Sequence, residues 1–425
     1  MTTRASFRGP TCWVLAGMAV AFQVLATPSI GGNPIRLALA DLLLTLLILL
    51  ALWQWSTGAR PWPKWHLNRL YAWLAIISLW LTMALIIGRL HTGGWEKWAL
   101  VNKYAGWYVL IAFMLAGAWV GQASRGTDTR VFIQVFLAWA AIVAVVDMGW
   151  YLLLHSHGNL TYARVEGWAG NPNSYGYLLA VVLVVALAAA TRGPILGARL
   201  DLLALGIVGC ALFFSGSRSA AVGLACGIAL LAVIRWLPVA QTVRVLAIAA
   251  MFSASVYVLP NIIRAGPNAL AHGQTASATS FTPYSLRENI LGDSGVNHRL
   301  RITQAAIALW AEQPIVGTGL GSFFWDEQRR KELDPATIHN TALWLLTETG
   351  LIGLGLFSVF CIAIGRALWR AHRQGTLDPL AIGGFASVAV MVGASVGMEA
   401  LYQRHVWFLA GYALLAQKLN DTEPV

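Results

Sequence analysis

The sequence predicts an all-α protein: a bundle of about twelve membrane-spanning helices with one large loop on the outer face. Three observations predict it. Charged residues make up 11% of the 425 positions and hydrophobic ones 58%, whereas soluble domains carry about 25% charged residues. Apolar runs of roughly 20 residues, the length that crosses about 30 Å of hydrocarbon, recur along nearly the whole chain. Runs such as "DLLLTLLILLALW" and "YLLAVVLVVALAAA" are continuously apolar, which excludes the alternating pattern of a membrane β-barrel.

Taken in order, the spans fall at about 11–28, 34–57, 69–88, 99–121, 131–154, 172–191, 200–215, 219–236, 244–260, 339–364, 379–397 and 401–418. The basic start "MTTRASFR" before the first span has the outline of a signal peptide, but no small-x-small cleavage site precedes a soluble domain. We therefore expect the first span to be retained. Cys12, Cys210, Cys226 and Cys361 all lie inside spans and show neither disulfide nor metal spacing. They read as small core residues.

Residues 1–260 thus carry spans one to nine, 261–338 form the large loop, and 339–425 carry spans ten to twelve and a short tail. With the N-terminus inside, fifteen of the 29 lysines and arginines fall in inner segments and seven in short outer ones. That asymmetry predicts cytoplasmic N- and C-termini and a loop on the opposite, periplasmic side of a bacterial inner membrane. The seven outer exceptions are Arg36, Arg89, Lys97, Lys103, Arg164, Arg218 and Arg404. Arg218 is the sharpest, since "FFSGSRSAAVG" is a tight turn between two spans, and an arginine at that depth is costly unless it meets water or an anion. One such arginine reads as an interface residue that snorkels; several converging on one face read as an anion site.

The first part of the loop, "NIIRAGPNALAHGQTASATSFTPYS", is of flexible composition. Its second part, "VNHRLRITQAAIALWAEQPIVG", places Ile302, Ala305, Ala306, Leu309 and Trp310 on one helical stripe. This predicts an amphipathic helix over about 298–313 with Asn297 as N-cap, Arg299 on the inward edge and Arg301 to the side. "GTGLGSFFW" lacks the preceding strand and the full glycine fingerprint of a dinucleotide loop. It reads as a tight turn whose backbone N–H groups would help hold a phosphate. A mixed-charge run, "WDEQRRKELD", expected as a solvated helix, leads to His339.

The outer surface therefore gathers arginines, a mobile loop and His339 at the start of the apolar helix "IHNTALWLLTETGLIGLGLF". Clustered carboxylates or histidines for a metal and the G-x-S-x-G of a nucleophilic hydrolase are missing from the sequence. Proton transfer plus anion stabilisation remains. Histidine suits a general base, and a helix N-terminus disfavours its cation. Alternatively, His339 is only a polar cap. Buried Asp41, Asp147, Glu348 and Glu399 are either proton-relay groups or structural partners of arginines and backbone.

In layout the chain resembles the O-antigen ligase and O-antigen polymerase superfamily of bacterial envelope enzymes. The resemblance rests on "ARVEGWAGNPNSYG", "SGSRSA", "HRLRITQAAIALWAEQPIVGTGLGSF" and "HNTALWLLTETGLIGLGLF", in this order and with this topology. It implies transfer of a glycan from undecaprenyl diphosphate to a sugar hydroxyl at the periplasmic face, inverting, without metal, cofactor or nucleic-acid partner. By motif, His339 is the base and Arg218 and Arg299 bind the diphosphate. From the convergence of basic residues on the outer face, Arg301, Lys103, Arg164 and Arg404 are expected as further diphosphate-binding cations. Asn340, Asn171 and Asn173 are supporting residues. One departure is Thr303, where an aromatic commonly follows the loop arginine by four.

We expect the ligase, with lipid A-core oligosaccharide as acceptor and lipid-linked O-antigen as donor, because the chain stops soon after the twelfth span. The alternative with the same chemistry is a surface-polysaccharide polymerase. A lipid-linked glycan transporter is the alternative of another class, for which broken helices at the bilayer midplane would be the mark. Glycan identity and oligomeric state are not legible.

Overall fold

The computed structural model of the chain describes residues 10–26, 29–30, 33–34, 37–58, 68–123, 126–156, 164–253, 293–330 and 337–415. These are helical almost throughout: α1 (Pro10–Ala21), α2 (Leu39–Ser56), α3 (Asn68–Thr92), α4 (Gly106–Ala123), α5 (Gly126–Ser156), α6 (Pro172–Ala190), α7 (Ala198–Phe214) and α8 (Arg218–Val233). They continue with α9 (Val239–Ser253), α10 (Asp293–Glu312), α11 (Ser322–Arg330), α12 (Thr341–Arg373), α13 (Pro379–Ala394) and α14 (Arg404–Leu415). A π-helical turn, Ala99–Ala105, leads into α4.

Among the described residues each apolar run contains helix, though the helices do not all have spanning length. Six stretches are long and apolar enough to cross a membrane: Leu39–Ser56, Tyr71–Thr92, Ala99–Gln122, Asp128–Tyr151, Pro172–Ala190 and Thr341–Arg373. Helices α1, α8, α9 and α13 are apolar but shorter. The spans expected at 11–28 and 34–57 extend too far toward each other. Leu25–Ala26 pairs antiparallel with Leu37–Ala38, and Ser29–Ile30 with Asn33–Pro34. Pro28, Gly31, Gly32 and Pro34 interrupt helix and favour this reversal. The chain ends and the flexible-composition stretch at 261–285 lie outside the described residues.

Between helices in lipid, close packing and hydrogen bonds replace the hydrophobic drive. The contact of α4 with α14 shows this directly. A Cβ on Gly117 would lie 1.9 Å from the Phe408 carbonyl oxygen, and one on Gly411 1.9 Å from that of Met114. Glycine on both sides lets the two backbones touch. Helix α6, buried from Tyr175 to Ala189, packs against α13, α8, α7 and α5 at the centre of the bundle.

The loop helix α10 buries Ile302, Ala306 and Leu309, the stripe expected from the sequence, against α12. It begins by Asp293, so Asn297 lies within the helix and does not cap it.

Helix α12 is not continuous. At Gly350 the backbone turns to φ 69°, ψ −173°, a left-handed conformation that glycine tolerates at little cost. The backbone groups freed there are taken by the segment before the glycine-rich turn. Leu351 and Ile352 donate N–H to the carbonyls of Pro314 (3.0 Å) and Ile315 (3.2 Å), while Thr318 and Gly319 donate to Thr347 (3.0 Å) and Glu348 (3.1 Å). Leu320 N–H donates to Ala84 of α3 (2.9 Å). Residues 314–320 thus plug the break and satisfy polar groups that lipid could not. The N–H groups expected to help hold a phosphate are committed to this plug.

Candidate functional site

Helix α8 starts at Arg218 because Ser217 caps it, the Ser217 hydroxyl accepting from the Ala220 N–H (3.3 Å). Helix α10 brings Arg299 to the same place. Arg218 and Arg299 line one open cavity of about 410 Å³, together with Ser219, Val222, Leu300, Thr303, Gly393, Val396 and Gly397. Among the described residues this lining holds two guanidinium groups and no carboxylate. Burial, and then the positive charge of Arg218, press the Arg299 pKa below the ordinary guanidinium value. Two like charges held this close repel, and a multiply charged anion lying between them relieves the repulsion while accepting their fork-shaped donors. Thr303, where an aromatic was expected by resemblance, forms part of the wall.

The wall at Val396 and Gly397 belongs to an irregular segment, residues 395–403, that joins α13 to α14. The Gly397 carbonyl accepts from Arg299 Nη1 (3.5 Å). The preceding Val396 carbonyl accepts from Asn340 Nδ2 (3.0 Å), and the Asn340 side-chain oxygen in turn accepts the Leu343 N–H (2.9 Å) and so caps α12. Thr341 is held twice more: its N–H donates to Ser395 O (3.1 Å), and its hydroxyl donates to Met398 O (3.2 Å) and accepts from Ala400 N–H (3.0 Å). His339, partly exposed, therefore sits in a turn pinned to the segment that forms one wall of the arginine cavity. A Cβ on Gly397 would come within 2.5 Å of Ser219 Oγ, which shows how closely the segment lies to the start of α8.

The other expected cations are placed differently. Arg164 donates from Nε to the Ser215 carbonyl (2.6 Å) and from Nη2 to Asn173 Oδ1 (3.0 Å). Asn171 caps α6 by accepting from the Asn173 N–H (2.9 Å) and the Ser174 N–H (3.1 Å). These residues brace the turn that presents Arg218 and do not line the cavity. Arg404 forks onto Asp41, with Nε to Oδ1 at 2.5 Å and Nη2 to Oδ2 at 2.8 Å. Arg301 is exposed on α10 and is absent from the cavity lining.

Lys103 departs furthest from its expected role. It is 2% exposed and ion-paired with Glu399. Its ammonium lies 4.4 Å from the ring centre of Trp344, 4.7 Å from Trp98 and 4.9 Å from Tyr402, a cation–π nest. The Tyr402 hydroxyl donates to the Lys103 carbonyl (3.0 Å). Glu348 lies beside this nest and accepts from Trp344 Nε1 (2.8 Å).

Of the four acids singled out in the sequence, Glu348 is buried and the others are partly buried. Asp41 and Glu399 pair with cations, Asp147 accepts the Gly167 N–H (3.0 Å) and Glu348 accepts from an indole. Sequence reading did not find the Lys103–Glu399 pair or Thr341. The available signal was an acid, Glu399, in the apolar run "GASVGMEALYQR", but nothing local names its partner.

Residues 203–358, less than half of the chain, match the family model described as O-antigen ligase. No curated protein matches the chain. The matched segment contains Arg218, Arg299 and His339, and it supports a ligase- or polymerase-type function in surface-polysaccharide biosynthesis.

Proposed function

We propose that this chain acts as an O-antigen ligase, transferring a glycan from undecaprenyl diphosphate to a sugar hydroxyl of lipid A-core oligosaccharide. The observation that carries the reading is the cavity lined by both Arg218 and Arg299, one wall of which is pinned to the turn bearing His339. In the reaction, His339 takes the proton from the acceptor hydroxyl. That oxygen attacks the anomeric carbon from the face opposite the leaving group, and the bond from that carbon to the diphosphate oxygen breaks. The electron pair leaves with the diphosphate, whose growing charge Arg218 and Arg299 stabilise. Configuration at the anomeric carbon inverts. No protein nucleophile is needed.

The cations divide by role in this reading. Arg218 and Arg299 touch the diphosphate. Arg164, Asn171 and Asn173 hold the Arg218 turn, Asn340 holds the His339 turn, and Arg404 is a structural partner of Asp41. The active site is assigned to the periplasmic side of the inner membrane, because Arg218, the start of α12 and the end of α13 all lie at helix ends that the basic-residue asymmetry puts outside.

The test combines purified protein, an undecaprenyl diphosphate glycan and lipid A-core oligosaccharide, with and without a chelator. Glycan on the core identifies the ligase, and longer glycan on the carrier identifies a polymerase using the same chemistry. Loss of activity with chelator would refute metal independence. Full activity of a folded His339→Ala variant would refute the base.

The break in α12 at Gly350, beside buried Glu348, is the one feature that favours a transporter. Residues 314–320 already fill that break, so it presents no open midplane site. A requirement for an ion gradient in vesicles would reinstate the transporter reading.

A further inference from the structure

The segment 395–403 does more than connect two helices. Four successive carbonyls, those of Ser395, Val396, Gly397 and Met398, accept from the Thr341 N–H, Asn340, Arg299 and the Thr341 hydroxyl. The residues on either side of the proposed reaction, the His339 turn and the Arg299 guanidinium, are thus aimed by one stretch of irregular backbone. The N–H groups of Ser395, Val396, Gly397 and Met398 bond back to the end of α13, and residues 399–403 beyond them are not helical. Immediately after the four carbonyls comes Glu399, paired with Lys103 from the π-helical turn ahead of α4. Tyr402, three residues on, donates to the Lys103 backbone. Lys103 therefore holds the segment by side chain and main chain, and Trp98, Trp344 and Tyr402 surround its ammonium.

We infer that Lys103 and Glu399 are positioning residues for the transfer reaction: their buried ion pair sets the register of segment 395–403 and through it the relative placement of Arg299 and His339. The inference rests on the reading of those two residues given above. Two arguments support a positioning role over direct contact with the diphosphate. Lys103 is 2% exposed and faces a carboxylate, so its charge is already offset and an incoming anion would have to displace Glu399. Also, a buried ion pair gives little net stability relative to apolar residues of the same volume, and its best-attested use is to specify one arrangement among several.

The experiment measures kcat, donor KM and the binding of inorganic pyrophosphate for the full-length protein in detergent or vesicles. The variants are Lys103→Met, Glu399→Gln and the double Lys103→Met/Glu399→Met. A displacement of about 1 Å at a reacting group lowers a rate by roughly 100-fold, so each single variant is expected to lose about 10- to 100-fold in kcat per folded molecule. The double variant is expected within a few-fold of either single, because the pair acts as one unit. Should a single variant fail to fold with one member of the pair left over, the double variant, which removes both members and leaves only Glu348 beside the nest, carries the same expectation.

Three results would overturn the inference. A Glu399→Gln protein that binds pyrophosphate more tightly, with lower donor KM, would make Lys103 a diphosphate ligand restrained by Glu399. Unchanged kcat per folded molecule, with only the yield or melting temperature lowered, would make the pair purely structural. Fully additive losses in the double variant would separate the two residues. A wild-type protein inactive toward both lipid A-core and lipid-linked glycan acceptors would instead strike the proposed function, and is told apart by that control.

Discussion

Two clusters of cations at the same end of the bundle are built on opposite principles. Around Arg218 and Arg299 the protein brings like charges together at an open cavity lined, among the described residues, by no carboxylate. Around Lys103 it does the reverse, sealing one ammonium beneath three aromatic rings and against Glu399. The first arrangement places two guanidinium groups at an accessible wall, and the second buries one ammonium in an ion pair. A basic residue on the outer face is therefore not by itself an anion site. What matters is where the fold places it.

The comparison is tested most severely at the turn beside the open cluster. His339→Ala is expected to lower transfer by about 10²- to 10⁴-fold, the usual worth of a general base, with melting temperature unchanged.

In the sealed cluster stability should respond first. Removing one partner of a buried ion pair leaves the other charge uncompensated, so Lys103→Met is expected to cost about 3–5 kcal/mol in unfolding free energy. The open cluster should behave in the opposite way. Arg218→Lys retains charge but not the planar fork and is expected to weaken donor recognition by about 10- to 100-fold, as for loss of a charge-assisted hydrogen bond. Its unfolding free energy should stay within about 0.5 kcal/mol of wild type, as for other surface substitutions. A melting profile for Arg218→Lys as damaged as that of Lys103→Met would erase the distinction.

Smaller effects sharpen the boundary. Thr341→Val keeps the side-chain shape but removes both hydroxyl hydrogen bonds to segment 395–403, an expected loss of about 1–3 kcal/mol with buried groups left unpaired. Recovery in Thr341→Ser would show that the hydroxyl is what matters. Arg301→Ala, two residues from Arg299 but exposed and outside the cavity lining, is expected to change activity less than about two-fold, consistent with a solvated surface cation.

The helical architecture was legible because lipid solvent imposes a strong local rule: every spanning backbone must close its own hydrogen bonds, so apolar runs of sufficient length become helices. The stripe of Ile302, Ala306 and Leu309 on α10 was legible for a similar reason, since helical periodicity is local. Arg218 and Arg299 were legible as candidates because a cation at that depth is costly and needs an explanation. The break at Gly350 was not, because it depends on the plug at 314–320 reaching it from the loop. Nor was the role of the glycine-rich turn, whose N–H groups meet carbonyls of α12 and α3.

The sequence by itself determined the class of protein, the order of its helices, and which residues are chemically equipped for proton transfer and anion binding. Only the tertiary structure decided which cations line the open cavity and which are held elsewhere in the fold. Arg404 and Asp41 lie 363 residues apart in the chain and form a fork, and Lys103 finds Glu399 across a similar distance. Charge neutralisation is a matter of a few ångströms in space, and no local pattern records which distant residue will arrive there.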